Sequence, residues 1–228
     1  MNASTLNAGP VRTEPVSGLS YRLMQPLPAQ PRRCLVLLHG VGGNEMSIAG
    51  LAAGIDPDTV VVLARGPLQF GPQQFAWFQV GFTSEGPRIV PEQAEQSRLV
   101  LIEFLTRMQQ EFAIAPAHTA IAGFSQGGIM SAGVALTSPE SVAGFGLLSG
   151  RILPEIDPRV ASRERLTTLE AFVAHGEEDT TLPVDWARRA HRQLDALGVK
   201  HSLHLYPTGH GISAAMHEDF LRWWADRA

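Results

Sequence analysis

The sequence predicts one α/β domain built on a mostly parallel, twisted sheet with helices on both faces. Short runs rich in Val, Ile and Leu alternate with longer segments of helical periodicity, a pattern typical of a covered parallel sheet. The runs are apolar at nearly every position, as strands buried on both faces are. The 228 residues, 44% hydrophobic and 18% charged, suit a single domain with a substantial core.

The predicted strands are the β-branched or leucine-rich runs that turn residues interrupt. In chain order they cover 19–24, 33–38, 59–64, 118–122, 142–149, 170–175 and 200–206. We expect residues 1–18 to form a flexible extension and residues 19–228 to form the domain. Residues 65–90 between the third and fourth strands read as a long loop, with one helix following it.

Four segments carry helix signals. The first begins at Pro91, since proline is favoured in the first turn. Apolar side chains then recur at three-residue steps from Leu99 to Met108, which predicts the face that packs on the sheet. The third ends before Gly198, a residue suited to a left-handed C-terminal cap. The second, third and fourth predicted helices cover 126–138, 183–197 and 211–226.

Composition and charge argue against several functions. Eighteen basic and 22 acidic side chains give a formal charge of −4, and the longest basic runs are pairs, so we expect no nucleic-acid partner. No stretch approaches the ~20 apolar residues of a membrane span, and the first fifteen residues lack the apolar core of a signal peptide. These features predict a cytoplasmic protein without stable membrane insertion. Cys34 is the only cysteine, which rules out an intrachain disulfide.

The segment G-F-S-Q-G centred on Ser125 lies where an apolar run gives way to a helical segment. In that context G-x-S-x-G indicates a nucleophile elbow, whose strained turn exposes the serine and whose glycines let strand and helix approach closely. By itself the pentapeptide is equally consistent with a glycine-rich turn that holds a hydrogen-bonded serine. The other motifs favour a nucleophile.

A second glycine-rich turn, H-G-V-G-G from His39 to Gly43, follows the strand 33–38. A dinucleotide loop would need a third glycine at position 45, where this chain has Glu45. The turn instead fits an oxyanion loop, in which backbone N–H groups stabilise the developing negative charge. The predicted donors are the amides of Val41 and Gln126. His39 precedes the serine in the chain and is therefore expected to brace the loop.

A serine nucleophile needs an imidazole base and a carboxylate that orients it. Asp179 follows the strand 170–175 on a loop, and His210 lies between glycines after the strand 200–206. The order Ser125, Asp179, His210 is the one that this elbow type predicts. Three nearby carboxylates remain rivals of Asp179; they are Glu177, Glu178 and Asp185. The eight histidines show no metal-ligand spacing, so no metal is expected.

Four motifs together resemble the phospholipase/carboxylesterase family, which includes acyl-protein thioesterases and small bacterial carboxylesterases. They are L-H-G-x-G-G from Leu38, G-F-S-Q-G-G from Gly123, H-G-x-x-D-x-x-x-P from His175, and Gly209-His210. The resemblance implies an α/β-hydrolase fold with Ser125, Asp179 and His210 as its triad, and the amides of Val41 and Gln126 as its oxyanion hole. It also implies a carboxylesterase-type serine hydrolase that needs no cofactor.

The implied reaction is hydrolysis, through an acyl-enzyme, of small esters with short to medium acyl chains; thioesters and lysophospholipids are further candidates. The short segment 150–169 predicts no large cap domain. Five aromatic rings lie between residues 65 and 90. They form either a structural cluster, a homodimer contact or an acyl-binding wall, and Trp77 and Phe78 are the candidates for substrate contact. Two other classes remain open: a non-catalytic binding protein on the same scaffold, and a nucleotide-dependent oxidoreductase.

Overall fold

The computed structural model describes residues 7–83 and 86–227. In chain order the strands are β1 (Asn7–Ala8), β2 (Arg12–Thr13), β3 (Ser20–Gln25), β4 (Arg33–Leu38), β5 (Thr59–Ala64), β6 (Leu68–Gly71), β7 (Gln74–Ala76), β8 (Val80–Thr83), β9 (Gly86–Ile89), β10 (Thr119–Phe124), β11 (Gly144–Leu148), β12 (Glu170–Gly176) and β13 (Lys200–Tyr206). The α-helices are α1 (Pro91–Phe112), α2 (Gln126–Thr137), α3 (Arg163–Leu166), α4 (Asp185–Leu197) and α5 (Ala214–Ala225), and 3₁₀ turns include Glu45–Ala52 and Pro154–Arg159.

One large sheet organises the described residues. Its order is β1-β3-β5-β4-β10-β11-β12-β13, and β2 pairs with β3 outside this path. The six strands from β5 to β13 run parallel, while β1, β2 and β3 form an antiparallel margin. The seven predicted strands are confirmed, with ends that differ by no more than two residues.

Side chains of each central strand alternate between two cores. Cys34 and Val36 of β4 join the core beneath α1, α2 and α4, whereas Leu35 and Leu37 join the core beneath the 3₁₀ turn and α5. This alternation follows from the two-residue period of a strand. The prediction of a sheet covered on both faces is therefore confirmed. Burial in the first of these cores raises the pKa of the Cys34 thiol to about 12.

Helix α1 begins at Pro91 as predicted, but its buried face differs from the predicted stripe. Leu101, Phe104, Leu105 and Met108 are buried, whereas Leu99 is 47% exposed. A three-residue step falls about 60° short of a full turn of a 3.6-residue helix, so the predicted stripe drifts around the helix. The buried positions follow steps of three and four instead, which keeps them on one side.

The predicted flexible extension 1–18 needs correction over its described part. β1 and β2 both pair with β3, and the buried Glu14 accepts hydrogen bonds from the backbone N–H groups of Val16 and Ser17. Residues 1–6 of the extension lie outside the described residues. The sheet margin therefore begins before the predicted boundary at residue 19.

The predicted loop 65–90 is also corrected, because it holds two antiparallel hairpins. β6 pairs with β7, and β8 pairs with β9. Between β11 and β12 the chain forms the Pro154–Arg159 turn and the single turn α3, so this fold has no large cap there. Among the described residues, none of the helices combines the length and apolarity that a membrane crossing requires.

Glu45 joins the glycine-rich turn after β4 to strand β3 and to the residue that follows β5. Its buried carboxylate accepts hydrogen bonds from Arg22 Nε at 2.8 Å and from Arg65 Nε at 2.6 Å. Burial alone would raise the pKa of Glu45, but the bonds from Arg65 and Arg22 outweigh it and lower the pKa to about 2. The residue that breaks the dinucleotide pattern is thus the anchor of the turn.

Replacing Glu45 by Gln is expected to lower the free energy of unfolding by about 2–4 kcal/mol, because two partly buried arginines lose their counter-charge. Urea denaturation measures the change. Glu103→Gln is the matched control: its pair with Arg107 lies at 2.7 Å between half-exposed side chains and is worth at most about 0.5 kcal/mol. Equal losses in the two variants would contradict a special role for Glu45.

Candidate active site

The site lies at the carboxyl ends of β4 and β10, where the strand order reverses. β4 is followed in the chain by β5 on one side of it, and β10 occupies the other side. Loops that leave two such strands separate and open a crevice, the usual ligand position in parallel sheets. The turn 39–44 and Ser125 face each other across this crevice.

Ser125 occupies a strained backbone position between β10 and α2. Its φ of 54° and ψ of −117° lie outside the regions favoured for a non-glycine residue. Its N–H donates to the Leu148 carbonyl at 2.8 Å, and its carbonyl accepts from Ile129 N–H at 3.0 Å. A Cβ atom at Gly127 would collide with the Leu38 carbonyl, so only glycine permits this approach of α2 to β4.

The structure brings Ser125, His210 and Asp179 into one hydrogen-bonded chain. His210 Nε2 lies 3.0 Å from Ser125 Oγ, and His210 Nδ1 lies 2.6 Å from Asp179 Oδ2. The other carboxylate oxygen, Oδ1, accepts from the backbone N–H groups of Thr181 and Leu182 at 2.9 and 2.8 Å. The Asp179 carboxylate is therefore held by three donors and needs no arginine or lysine partner.

The rival carboxylates lie elsewhere. Glu177 and Glu178 are exposed, whereas Asp179 is buried. Asp185 is exposed at the start of α4 and pairs with Arg188 at 2.9 Å. Burial is what separates these four neighbours, because the turn after β12 directs only Asp179 inward.

His175 supports the loop that carries Asp179. The sequence analysis did not reveal this role, because His175 was recognised only as a residue at a strand end. Its Nε2 lies 2.7 Å from the Leu182 carbonyl and 3.3 Å from Asp179 Oδ2. Burial lowers the pKa of His175 despite the opposing effect of the Leu182 carbonyl and Asp179. The neutral ring thus donates a hydrogen bond to the loop without adding a charge beside the carboxylate.

Val41 and Gln126 both line the crevice, and no hydrogen bond from the backbone N–H of either residue is found among the described residues. His39 is fully buried; its Nδ1 lies 2.7 Å from the Gly40 carbonyl, and its Nε2 accepts from Gly66 N–H at 2.9 Å. Nδ1 therefore carries the proton. Because a peptide unit is planar, fixing the Gly40 carbonyl also fixes the direction of the Val41 N–H.

The side chain of Gln126 bridges α2 to the segment that carries the predicted aromatic pair. Its Oε1 accepts from Trp77 N–H at 2.7 Å, and its Nε2 donates to the Phe78 carbonyl at 2.6 Å. The sequence analysis considered only the backbone N–H of this residue, not its side chain. A polar side chain that directly follows the nucleophile was the available signal.

The two aromatic candidates have different positions. Phe78 lines the cavity beside Ser125. Trp77 is 0% exposed behind that wall, and its Nε1 donates to the His39 carbonyl at 2.9 Å. Its predicted substrate contact is therefore corrected to a structural contact, because the indole lies among buried groups on the far side of the wall.

The cavity at Ser125 has a volume of about 180 Å³. Its wall is mostly apolar, with Phe78, Phe124, Ile129 and Leu182 among its residues, and Arg151 is also part of it. A second depression of about 340 Å³ shares Val41, Phe124 and His210 with the first and extends to Ile48 and Ile212. Two openings thus meet at His210.

One group of possible metal ligands lies away from this site, on α4 and β13: His191, Asp195 and His201. His191 Nδ1 and His201 Nε2 are 2.7 Å apart, which is shorter than the ~3.3 Å expected between two nitrogens on one tetrahedral zinc. The distance fits a hydrogen bond between the rings. His201 and His204 occupy opposite faces of β13, since His204 packs against Phe172 in the other core.

Comparison with known proteins gives a consistent result. The sequence model of the family described as Phospholipase/Carboxylesterase matches residues 25–224. Esterase YpfH of Escherichia coli K12 is 29% identical over 177 residues, which cover 75% of this chain and 71% of that protein. Acyl-protein thioesterase 1 of Emericella nidulans is 26% identical over 188 residues, which cover 73% and 77%. The crystal structure of esterase PE8 is similar with a TM-score of 0.81 and 25% identity, covering 92% of this chain and 99% of that one.

Replacing Gln126 by Ala is expected to lower the free energy of unfolding by about 2–5 kcal/mol, because two buried backbone groups lose their partners. Thermal and urea denaturation measure it. Gln93→Ala removes a similar bond to Gln79 N–H at an exposed position and should cost about 1 kcal/mol or less. An unchanged stability of Gln126→Ala would show that the wall does not depend on this bridge.

Stability is expected to fall as the pH decreases from 7.5 to 5.5. Burial lowers the pKa of both His39 and His175, so the unfolded chain binds protons near pH 6.5 that the folded chain rejects. The unfolding free energy then decreases by up to about 1.4 kcal/mol per pH unit for each histidine. Denaturation at both pH values should show that the unfolding free energy of His39→Gln depends less steeply on pH than that of the wild type. His118→Gln, at an exposed position, should keep the wild-type slope.

Proposed function

The chain belongs to the phospholipase/carboxylesterase family, and on that premise we propose that Ser125, His210 and Asp179 hydrolyse carboxylic esters through an acyl-enzyme. Membership and relatives make the protein a serine ester hydrolase of the carboxylesterase type. The observation that carries the residue assignment is the hydrogen-bonded chain from Ser125 Oγ through the His210 ring to Asp179.

In the proposed reaction, Ser125 Oγ attacks the acyl carbon while its proton passes to His210 Nε2. The tetrahedral intermediate collapses, the bond to the leaving oxygen or sulfur breaks, and His210 returns the proton to the leaving group. Water then attacks the acyl-enzyme with the same assistance, which releases the acid and restores the serine. Asp179 holds His210 in the Nδ1–H tautomer and stabilises its positively charged ring between the two proton transfers.

The N–H groups of Val41 and Gln126 are proposed to stabilise the oxyanion. Two observations support this: both residues line the cavity, and neither backbone N–H has an acceptor within the described chain. Gln126 is also the first residue of α2, so the positive end of the helix dipole adds to the same effect. Losing one such donor typically costs about 2.7–4 kcal/mol of transition-state stabilisation.

The cavity supports substrates with short to medium acyl groups. Its volume of about 180 Å³ lies below the ~300–1,000 Å³ of pockets that enclose drug-sized ligands, and Phe78 supplies part of its apolar wall. Thioesters remain compatible with the same chemistry, since only the leaving atom changes. A cytoplasmic location and a homodimer stay predictions from the sequence. Neither the binding protein nor the oxidoreductase is favoured by any feature of this site.

Ser125→Ala is expected to lower kcat/KM for p-nitrophenyl butyrate by at least about 10³-fold, because the covalent route is lost. The assay should include p-nitrophenyl acetate and octanoate, and labelling with a fluorophosphonate probe should disappear in parallel. Ser162→Ala changes an exposed serine and serves as control. Equal rates in both variants, or labelling that persists in Ser125→Ala, would refute the assignment of the nucleophile.

A further inference from the structure

Arg151 is the unusual member of the cavity wall. It follows β11 by three positions and is only 8% exposed, yet no hydrogen bond or ion pair of its guanidinium is found among the described residues. The guanidinium lies over the Trp186 ring, whose centroid is 4.7 Å from Cζ. Buried charges in proteins are normally paired, since removing them from water is costly.

Two other largely buried arginines, by contrast, are paired with carboxylates. Arg98 binds both carboxylate oxygens of Glu95 at 2.8 Å, and Arg65 binds Glu45. Glu155 is the carboxylate whose charge acts on Arg151, but it forms no ion pair with it within 4.0 Å. Burial lowers the pKa of Arg151, although a guanidinium stays charged at neutral pH.

Arg151 and Ser125 line the same small cavity. The neighbouring strands β10 and β11 fix their positions, because Phe124 pairs with Leu148 and the Ser125 N–H donates to the Leu148 carbonyl at 2.8 Å. The remaining wall is mainly apolar and includes Phe78, Ile129 and Leu182. A ligand that fills this cavity therefore meets an apolar path with one fixed positive charge.

From this geometry we infer that the acyl group of the substrate ends in a carboxylate that binds Arg151, so that the preferred substrates are half-esters of short dicarboxylic acids. The inference rests on the proposed function and specifies its substrate class. A guanidinium binds a carboxylate through two parallel N–H···O bonds and is the donor best shaped for it. The charge of the substrate takes the place of the missing protein carboxylate.

The charge belongs to the acyl side for a geometric reason. The leaving group must lie within reach of His210 Nε2, which protonates it, and the second depression opens from His210 toward Ile48 and Ile212 without Arg151. The cavity that Arg151 lines is also lined by Ser125 and by both residues of the proposed oxyanion hole, Val41 and Gln126. The acyl carbon and its chain therefore occupy the cavity with the arginine.

The test compares monomethyl glutarate with dimethyl glutarate, which share one acyl chain and differ in one charge. Methanol release at pH 7.5 gives kcat/KM for each. The wild type is expected to prefer the half-ester by about tenfold or more, and Arg151→Gln to reduce that ratio by roughly 10- to 100-fold. Arg151→Lys should keep an intermediate ratio, because it retains the charge but loses the planar fork.

Arg189→Gln is the matched control. Arg189 also stacks on Trp186, at 5.0 Å, but it is exposed and is not part of the cavity wall, so its variant should keep the wild-type ratio. Melting temperatures report whether Arg151→Gln folds. The wild-type preference for the half-ester is a further measurement that does not depend on any variant.

The outcomes separate the two proposals. If the wild type hydrolyses neither ester by a route that depends on Ser125, the proposed function itself is refuted. Ser125-dependent hydrolysis without a half-ester preference, or a ratio that Arg151→Gln leaves unchanged, would overturn the role of Arg151 alone. A preference for butyryloxyacetate, which carries its carboxylate on the alcohol side, over methyl butyrate would also overturn the acyl-side assignment.

Discussion

The close contact between the start of α2 and the end of β4 is the constraint on which the site depends. Gly123 and Gly127 have no Cβ atoms, and their backbones lie against the carbonyls of Leu38 and His39. This contact fixes three things together: the strained backbone of Ser125, the free amide of Gln126, and the direction in which the turn after β4 leaves the sheet. A side chain at either glycine would separate the two halves of the crevice.

Around that contact, buried polar groups connect three segments that are distant in sequence. His39 donates to its own turn and accepts from Gly66, Trp77 donates to the His39 carbonyl, and Gln126 binds the backbone on both sides of the Trp77–Phe78 peptide bond. Each of these buried polar groups finds its hydrogen-bond partner within the same network. The wall of the cavity and the turn after β4 therefore hold each other in place. The free amides at the cavity are therefore preorganised, and their orientation is set before any ligand binds.

Local signals predicted much of this structure, and long-range packing explains the rest. The elbow, the H-G-V-G-G turn and the order of Ser125, Asp179 and His210 were readable because glycines and strand ends constrain few residues at a time. The stripe beginning at Leu99 was misread because steps of three and steps of four both look helical in sequence. Trp77 was misplaced because a bare aromatic count cannot tell a cavity wall from the layer behind it. Arg151 carried no local motif; its importance arises only from the absence of a described partner, which sequence does not show.

The charged groups around the site differ in whether other residues of the protein hold them by hydrogen bonds or ion pairs. Asp179 is held by two backbone N–H groups and by His210, which itself turns its other nitrogen to Ser125. These hydrogen bonds stabilise the carboxylate without an arginine or lysine partner. The Glu45 carboxylate forms ion pairs with two arginines, Arg22 and Arg65. Arg151 lies over the face of Trp186 and has no ion pair within 4.0 Å among the described residues, and an aromatic quadrupole offsets a small part of a buried charge. Since Arg151 lines the cavity with Ser125, its charge would favour the proposed anionic acyl chain and would add to the positive potential at an oxyanion on Ser125.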